Sequence, residues 1–112
     1  MDRACAFYTQ KLGFAVMFTY GEPAFYGQVG RDGACLNLRH VDFPVIDQEV
    51  RQREEDLLSA TILVTNLKSL YEEFRQNGVA FAQALRKESW GAQTFIVADP
   101  DGNLLCFCGQ AE

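Results

Sequence analysis

Basic side chains are scarce in this sequence. Its 112 residues hold ten Lys and Arg against fifteen Asp and Glu, for a formal net charge of -5. A nucleic-acid interface needs a dense basic surface, so no nucleic-acid partner is expected. The acidity favours a cationic small ligand by long-range attraction, and it serves plain solubility equally well. Long apolar runs are also missing. Nothing approaches the roughly 20 residues of a membrane helix, so no membrane partner is expected. The opening Met1-Asp2-Arg3-Ala4-Cys5 carries no signal-peptide pattern, which makes a cytoplasmic location the default expectation. Histidine is reduced to His40, which leaves little material for a Ser-His-Asp arrangement. Cysteine is sparse as well: Cys5, Cys35, Cys106 and Cys108 include no Cys-x-x-Cys pair. They are too few for a disulfide scaffold, and reduced, mostly buried thiols are expected. No glycine loop has a phosphate-binding pattern, and no stretch is of low complexity.

What is present suits one globular domain. The hydrophobic fraction is 48% and the charged fraction 22%, enough for a core with an ordinary soluble surface. A weak internal repeat organises the chain. Leu67, Leu70, Tyr71 and Phe74 form an apolar helical face, with Asn66 as a candidate N-cap and Gly78 as the stop. The same spacing recurs at Met1, Ala4, Cys5 and Tyr8, with Gly13 as the stop. Each copy then passes through apolar strand-like segments to an Asp-Gly turn, Asp32-Gly33 or Asp101-Gly102, and a short apolar strand. The pattern predicts a helix over 1–12 and strands over 14–20, 24–30 and 34–39. It predicts a charged connector over 40–56, in which Asp47 caps a short surface helix from Gln48 to Asp56. The second copy is predicted as strand 58–64, helix 67–77, and strands 79–84, 92–98 and 103–108. Module one is thus 1–39, the connector 40–56 and module two 57–112.

The two copies are not equivalent. The second helix is preceded by a strand and a cap; the first begins at Met1 with neither. An uncapped helix start leaves backbone donors unpaired, and a missing strand leaves an open sheet edge. The expectation is that the natural product begins upstream of Met1, or that another chain or water satisfies that edge. The alternative is a fold that never had the strand.

Three segments carry a family resemblance. "AFYTQKLGF" at 6–14 and "SLYEEFRQNGV" at 69–79 resemble the first- and second-helix signatures of the vicinal-oxygen-chelate superfamily. That group includes glyoxalase I, extradiol dioxygenases, fosfomycin-resistance enzymes and bleomycin-resistance proteins. "WGAQTFIVADPDGNLLCF" at 90–107 is similar to its closing segment and is the most specific of the three. The resemblance implies an α+β fold of two βαβββ modules whose curved mixed sheet wraps a cup. The first module here lacks its first strand. It also implies a homodimer, since many members pair.

Metal-dependent members use His, Gln or Glu on the first and last strands of each module. Carried over, those positions are one before Met1, then Asn37, Ser59 and Cys106. An amide, a hydroxyl and a thiol are a poor set for zinc or for harder ions, so no metal and no cofactor are expected. A Cys106/Cys108/His40 site and a Cys-His nucleophile are weaker readings, because Cys-x-Cys on a strand is more often core packing. The acids considered fall in turns (Asp32, Asp99, Asp101), on a helix (Glu72, Glu73), in the connector (Glu49, Glu54, Glu55, Asp56) or at a hairpin (Glu22). Such places are solvated and unsuited to general acid-base work, and no catalytic residue is assigned.

Strand alternation assigns the cup lining. Leu36, Leu38, Leu105 and Phe107 form the core side; Cys35, Asn37, Arg39, Leu104, Cys106 and Cys108 then face the cup, joined by Ser59, Thr61 and Leu63. Phe18, Tyr20, Phe25, Tyr26 and Trp90 lie near it, although the parity of 14–30 is ambiguous because both faces are apolar. The candidate ligand-binding residues are Tyr26, Asn37, Arg39, Ser59, Thr61, Trp90, Cys106 and Cys108. Aromatic walls with a few convergent hydrogen-bonding groups suit a flat or cationic organic molecule. The likeness is nearest to the bleomycin-resistance branch, which implies a metal-free protein that sequesters an antibiotic. The alternative is a metal-dependent lyase or dioxygenase completed by the missing strand.

Overall fold

A computed structural model describes residues 1–54 and 57–110. The chain divides into two compact units, Met1–Leu57 and Leu58–Glu112. Each unit builds its own sheet, and together they hold seven strands among the described residues.

In the first unit, helix α1 (Asp2–Ala6) continues into a π-helical turn, Phe7–Lys11. The wider turn is closed by the Phe14 N–H donating to the Tyr8 carbonyl at 2.9 Å. Tyr8, Leu12 and Phe14 are buried, and Gly13 reverses the chain at φ 71°, a conformation that costs glycine least. Strands β1 (Ala15–Tyr20), β2 (Tyr26–Arg31) and β3 (Ala34–Arg39) form an antiparallel sheet in that order. The β2–β3 turn has Asp32 at φ 50° and Gly33 at φ 88° between paired Arg31 and Ala34. That is the two-residue turn whose twist matches a hairpin. Helix α2 (Gln48–Arg53) starts as expected, with the Asp47 carboxylate accepting from the Glu49 N–H at 2.9 Å. It ends before Glu54, however; Glu55 and Asp56 lie outside the described residues.

The second unit comprises strand β4 (Ala60–Leu63), helix α3 (Leu67–Gln76) and strands β5 (Phe81–Lys87), β6 (Ala92–Ala98) and β7 (Leu104–Gln110). Its sheet order is β4-β7-β6-β5, with β4 parallel to β7 and the other pairs antiparallel. This is the βαβββ module, and the described residues of the first unit follow the same order from the helix onward. Phe74 meets the Phe95 and Phe107 rings edge-on at 5.8 and 5.3 Å, while Phe95 and Phe107 stack at 5.2 Å. Such pairs add to simple area burial. Asn66 holds the N-cap position of α3 but makes no side-chain cap bond, which corrects the expected cap. β5 begins two residues later than expected and continues to Lys87, because it follows β6 down to the hairpin at Gly91.

Two turns fix the ends of β7. Asp99, 7% exposed, accepts from the Asp101 and Asn103 N–H groups and from Asn103 Nδ2 at 2.8–2.9 Å. Asp99 is therefore a turn former, as expected, but it is not solvated. At the other end a Cβ on Gly109 would lie 2.7 Å from the Val64 carbonyl oxygen, so only glycine fits there.

Candidate functional site

The faces of the first sheet follow from β2. Gly27 looks toward the Met1 sulfur, Val29 is buried, and the Arg31 guanidinium donates to the Leu12 carbonyl at 2.7 Å. Those alternate positions face the helix. Tyr26, Gln28 and Gly30 therefore face the opposite way, together with their cross-strand partners Arg39, Asn37 and Cys35.

A β-bulge resolves the parity of β1. Its register shifts between Val16 and Phe18, so one residue is extra and the alternation slips. Phe18 pairs with Gln28, Tyr20 pairs with Tyr26, and Met17 sits against Gly30, its sulfur 3.4 Å from where a Cβ would be. All of these lie on the open face. The Phe18 and Tyr26 rings are 6.0 Å apart, and Tyr20 meets Phe25 edge-on at 5.6 Å. Phe18 is 45% and Tyr20 67% exposed, so the aromatic strip faces outward and is not core. Gln28 Nε2 donates to Asn37 Oδ1 at 3.0 Å, setting an amide pair in the middle of the face. Three of the eight expected site residues, Tyr26, Asn37 and Arg39, thus converge on one surface.

The remaining five belong to the second unit. Thr61 pairs with Cys106, and Leu63 with Cys108, on the sheet side away from α3. Thr61 is exposed and Cys108 half-buried. Cys106 is closed off in a small cluster with Ile96 and Leu104. The Ser59 hydroxyl donates to Asn103 Oδ1 at 3.1 Å, and its N–H to the Leu104 carbonyl at 2.8 Å, so it clasps β4 to the start of β7. Trp90 stands at the tip of the β5–β6 hairpin and is 73% exposed.

Sequence reasoning missed a polar cluster beside that hairpin. Glu88 Oε1 accepts from Arg86 Nε at 2.7 Å and from the Thr94 hydroxyl at 2.8 Å, while Gln83 Nε2 donates to the same hydroxyl oxygen at 2.9 Å. The Glu88 side chain is only 13% exposed. The Arg86 hydrogen bond, then that of Thr94, holds its carboxyl below the usual glutamate range, against the opposing pull of burial. The visible signal was a carboxylate two residues from Arg86 in a Gly-closed turn, a pairing that alternation alone does not weigh. A shallow hollow along α3 is lined by Lys68, Ser69, Glu72, Glu73 and Gln76. These are ordinary groups of a solvated helix face.

The donors at the metal positions do not fit an ion. The Asn37 oxygen is taken by Gln28, the Ser59 hydroxyl donates to Asn103, and Cys106 packs among aliphatic groups. His40 Nε2 lies 2.9 Å from Asp42 Oδ1. Among the described residues no three His, Cys, Asp or Glu side chains gather as a metal site requires.

Fold and site together define two α+β modules, the first with an exposed aromatic sheet face. The sequence profile described as "Glyoxalase/Bleomycin resistance protein/Dioxygenase superfamily" matches residues 1–107, and the chain belongs to that superfamily. It is similar to a solved glyoxalase/bleomycin resistance protein/dioxygenase from Alicyclobacillus acidocaldarius, with 26% identity, 100% of this chain and 84% of that one covered, and a TM-score of 0.77. It is also similar to UcmS2, with 33% identity, 96% and 87% coverage and a TM-score of 0.69. A bleomycin-binding protein solved with bleomycin shares the fold at 22% identity, with 100% and 90% coverage and a TM-score of 0.75. No curated protein matches the sequence. No helix among the described residues is long and apolar enough to cross a membrane.

Proposed function

We propose that this chain is a metal-free small-molecule-binding protein that sequesters an aromatic or cationic ligand such as an antibiotic. One observation carries the reading: Phe18, Tyr20 and Tyr26 flank the Gln28–Asn37 amide pair on one exposed face of the first unit's sheet. A contiguous exposed aromatic patch points to a recognition surface, and flat rings beside oriented amides suit stacking with hydrogen-bonded registry. A protein of the same fold solved with bleomycin supports small-molecule recognition as the role. Tyr26, Asn37 and Arg39 form the proposed site on the first unit; Ser59, Thr61, Cys108 and Trp90 are separate candidates on the second. Homodimer formation through the outer edge of β3, which carries no strand among the described residues, and a cytoplasmic location belong to the same proposal.

The test is a thermal-shift panel of planar aromatics and cationic glycopeptides. A ligand that binds only the folded state stabilises it by RT ln(1 + [L]/Kd), about 2.7 kcal/mol at a hundred times Kd. A saturable upward shift that Tyr26→Ala removes supports the proposal. A flat response across the panel contradicts it.

A further inference from the structure

The charge on the open face narrows the ligand. The strand positions on that face are aromatic, amide, thioether, thiol or glycine, with Arg39 as the single charged side chain among them. Arg39 is exposed and lies directly across from Tyr26 at the end of the aromatic strip. None of the unit's acids occupies a strand position on this face, although exposed Glu22 lies in the β1–β2 turn at the same end as Arg39. Asp32 pairs with Arg31 at 3.4 Å at the opposite end of the hairpin, and Asp42 pairs with His40 at 2.9 Å. Among the described residues no ion pair is found for Arg39. A donor-rich face whose one charged strand position is a guanidinium therefore stands inside a chain of net charge -5. The amide pair adds to it. With Gln28 donating to Asn37 Oδ1, the Asn37 NH2 remains as a further donor. A guanidinium and an amide N–H beside stacked rings recognise a planar ring bearing an anionic group.

We infer that the first unit's open face binds planar aromatic anions, carboxylates or phenolates, in preference to cations. The inference rests on the binding-protein reading above, keeps its aromatic ligand and sets its cationic one aside. The ring lies against Phe18 and Tyr26, and its oxyanion accepts from Arg39 and Asn37. Strong cations, which the net acidity alone would draw in, are the wrong partners for this face.

The experiment uses three probes of one size: 2-naphthoate, 2-naphthalenemethanol and 2-naphthylmethylammonium, titrated calorimetrically into the whole chain and into Arg39→Gln and Tyr26→Ala. The expected order is naphthoate tightest, by about tenfold over the alcohol, as one charge-assisted hydrogen bond supplies. Arg39→Gln should abolish that margin while leaving alcohol binding intact, and Tyr26→Ala should weaken all three. Equal affinities, or the ammonium binding best, overturn the anion preference and leave the aromatic site standing. If none of the three binds, the site itself falls and the inference with it. A dimer that Phe18→Asp splits, with no probe bound, means a second copy covers the face, and that too overturns it.

Discussion

Gln28 and Asn37 face each other across β2 and β3, amide to amide at 3.0 Å, on the face that carries Phe18, Tyr20 and Tyr26. Each fixes the other's orientation, so the face presents a set pattern of donors. Replacing Asn37 by Ala should weaken ligand binding about tenfold, the worth of one hydrogen bond to a charged group. Because Asn37 is exposed, the fold should survive with a melting temperature close to the parent. Calorimetry and a thermal melt on the same sample check both halves.

Asp99 holds the turn before β7 because its buried carboxylate accepts three hydrogen bonds, from the Asp101 and Asn103 N–H groups and from Asn103 Nδ2. Asp99→Ala leaves those donors unpaired and should cost on the order of 3 kcal/mol. Denaturant unfolding measures it, and a loss within experimental error contradicts the role.

Gly109 is a packing prediction. Its missing Cβ is what lets Val64 approach, so Gly109→Ala should destabilise by about 1–3 kcal/mol through overpacking. Gly33, whose absent Cβ would meet nothing, still needs its positive φ of 88°. Gly33→Ala should cost less, about 1 kcal/mol.

Glu88 gives a pH signature. Its folded-state pKa lies below the ordinary value of 4.5, first because Arg86 and then because Thr94 bond the ionised form. A depressed acid contributes stability above its unfolded pKa and loses it as pH falls through the folded value. Glu88→Gln should therefore be less stable than the parent at neutral pH, and the gap should close below about pH 4. Melts across pH 3–7 test this. A gap that widens on acidification has the wrong sign.

Much of this architecture was legible in the residues. Gly13 and Gly78 as helix stops, the Asp32-Gly33 turn and the Asp47 cap each impose a local geometry that few alternatives share. Alternation correctly separated Leu36 and Leu38 from Asn37 and Arg39, because one side of β3 is covered and the other is not. β1 was unreadable for a physical reason: its residues are apolar on both faces, and the bulge at Met17 shifts the period by one. The Glu88 cluster was missed because it depends on β5 and β6 pairing past two register shifts, which no local pattern encodes. Cys106 and Cys108 were given one side by parity, yet burial separates them, since Ile96 and Leu104 enclose only the first.

Chelation bears on the reading as a whole. Since the Asn37, Ser59 and Cys106 donors are amide, hydroxyl and packed thiol, adding a strong chelator should leave the melting temperature unchanged. A large drop would mean that an ion is bound in the folded state.

The most direct measurement is an amide-resolved NMR titration of the labelled chain with 2-naphthoate. Saturable shifts confined to β1, β2 and β3, centred on Phe18, Tyr26 and Asn37 and lost in Tyr26→Ala, are the expected result. Shifts confined to β5 through β7, or none at all up to millimolar ligand, would contradict the assignment of recognition to the first unit's open sheet.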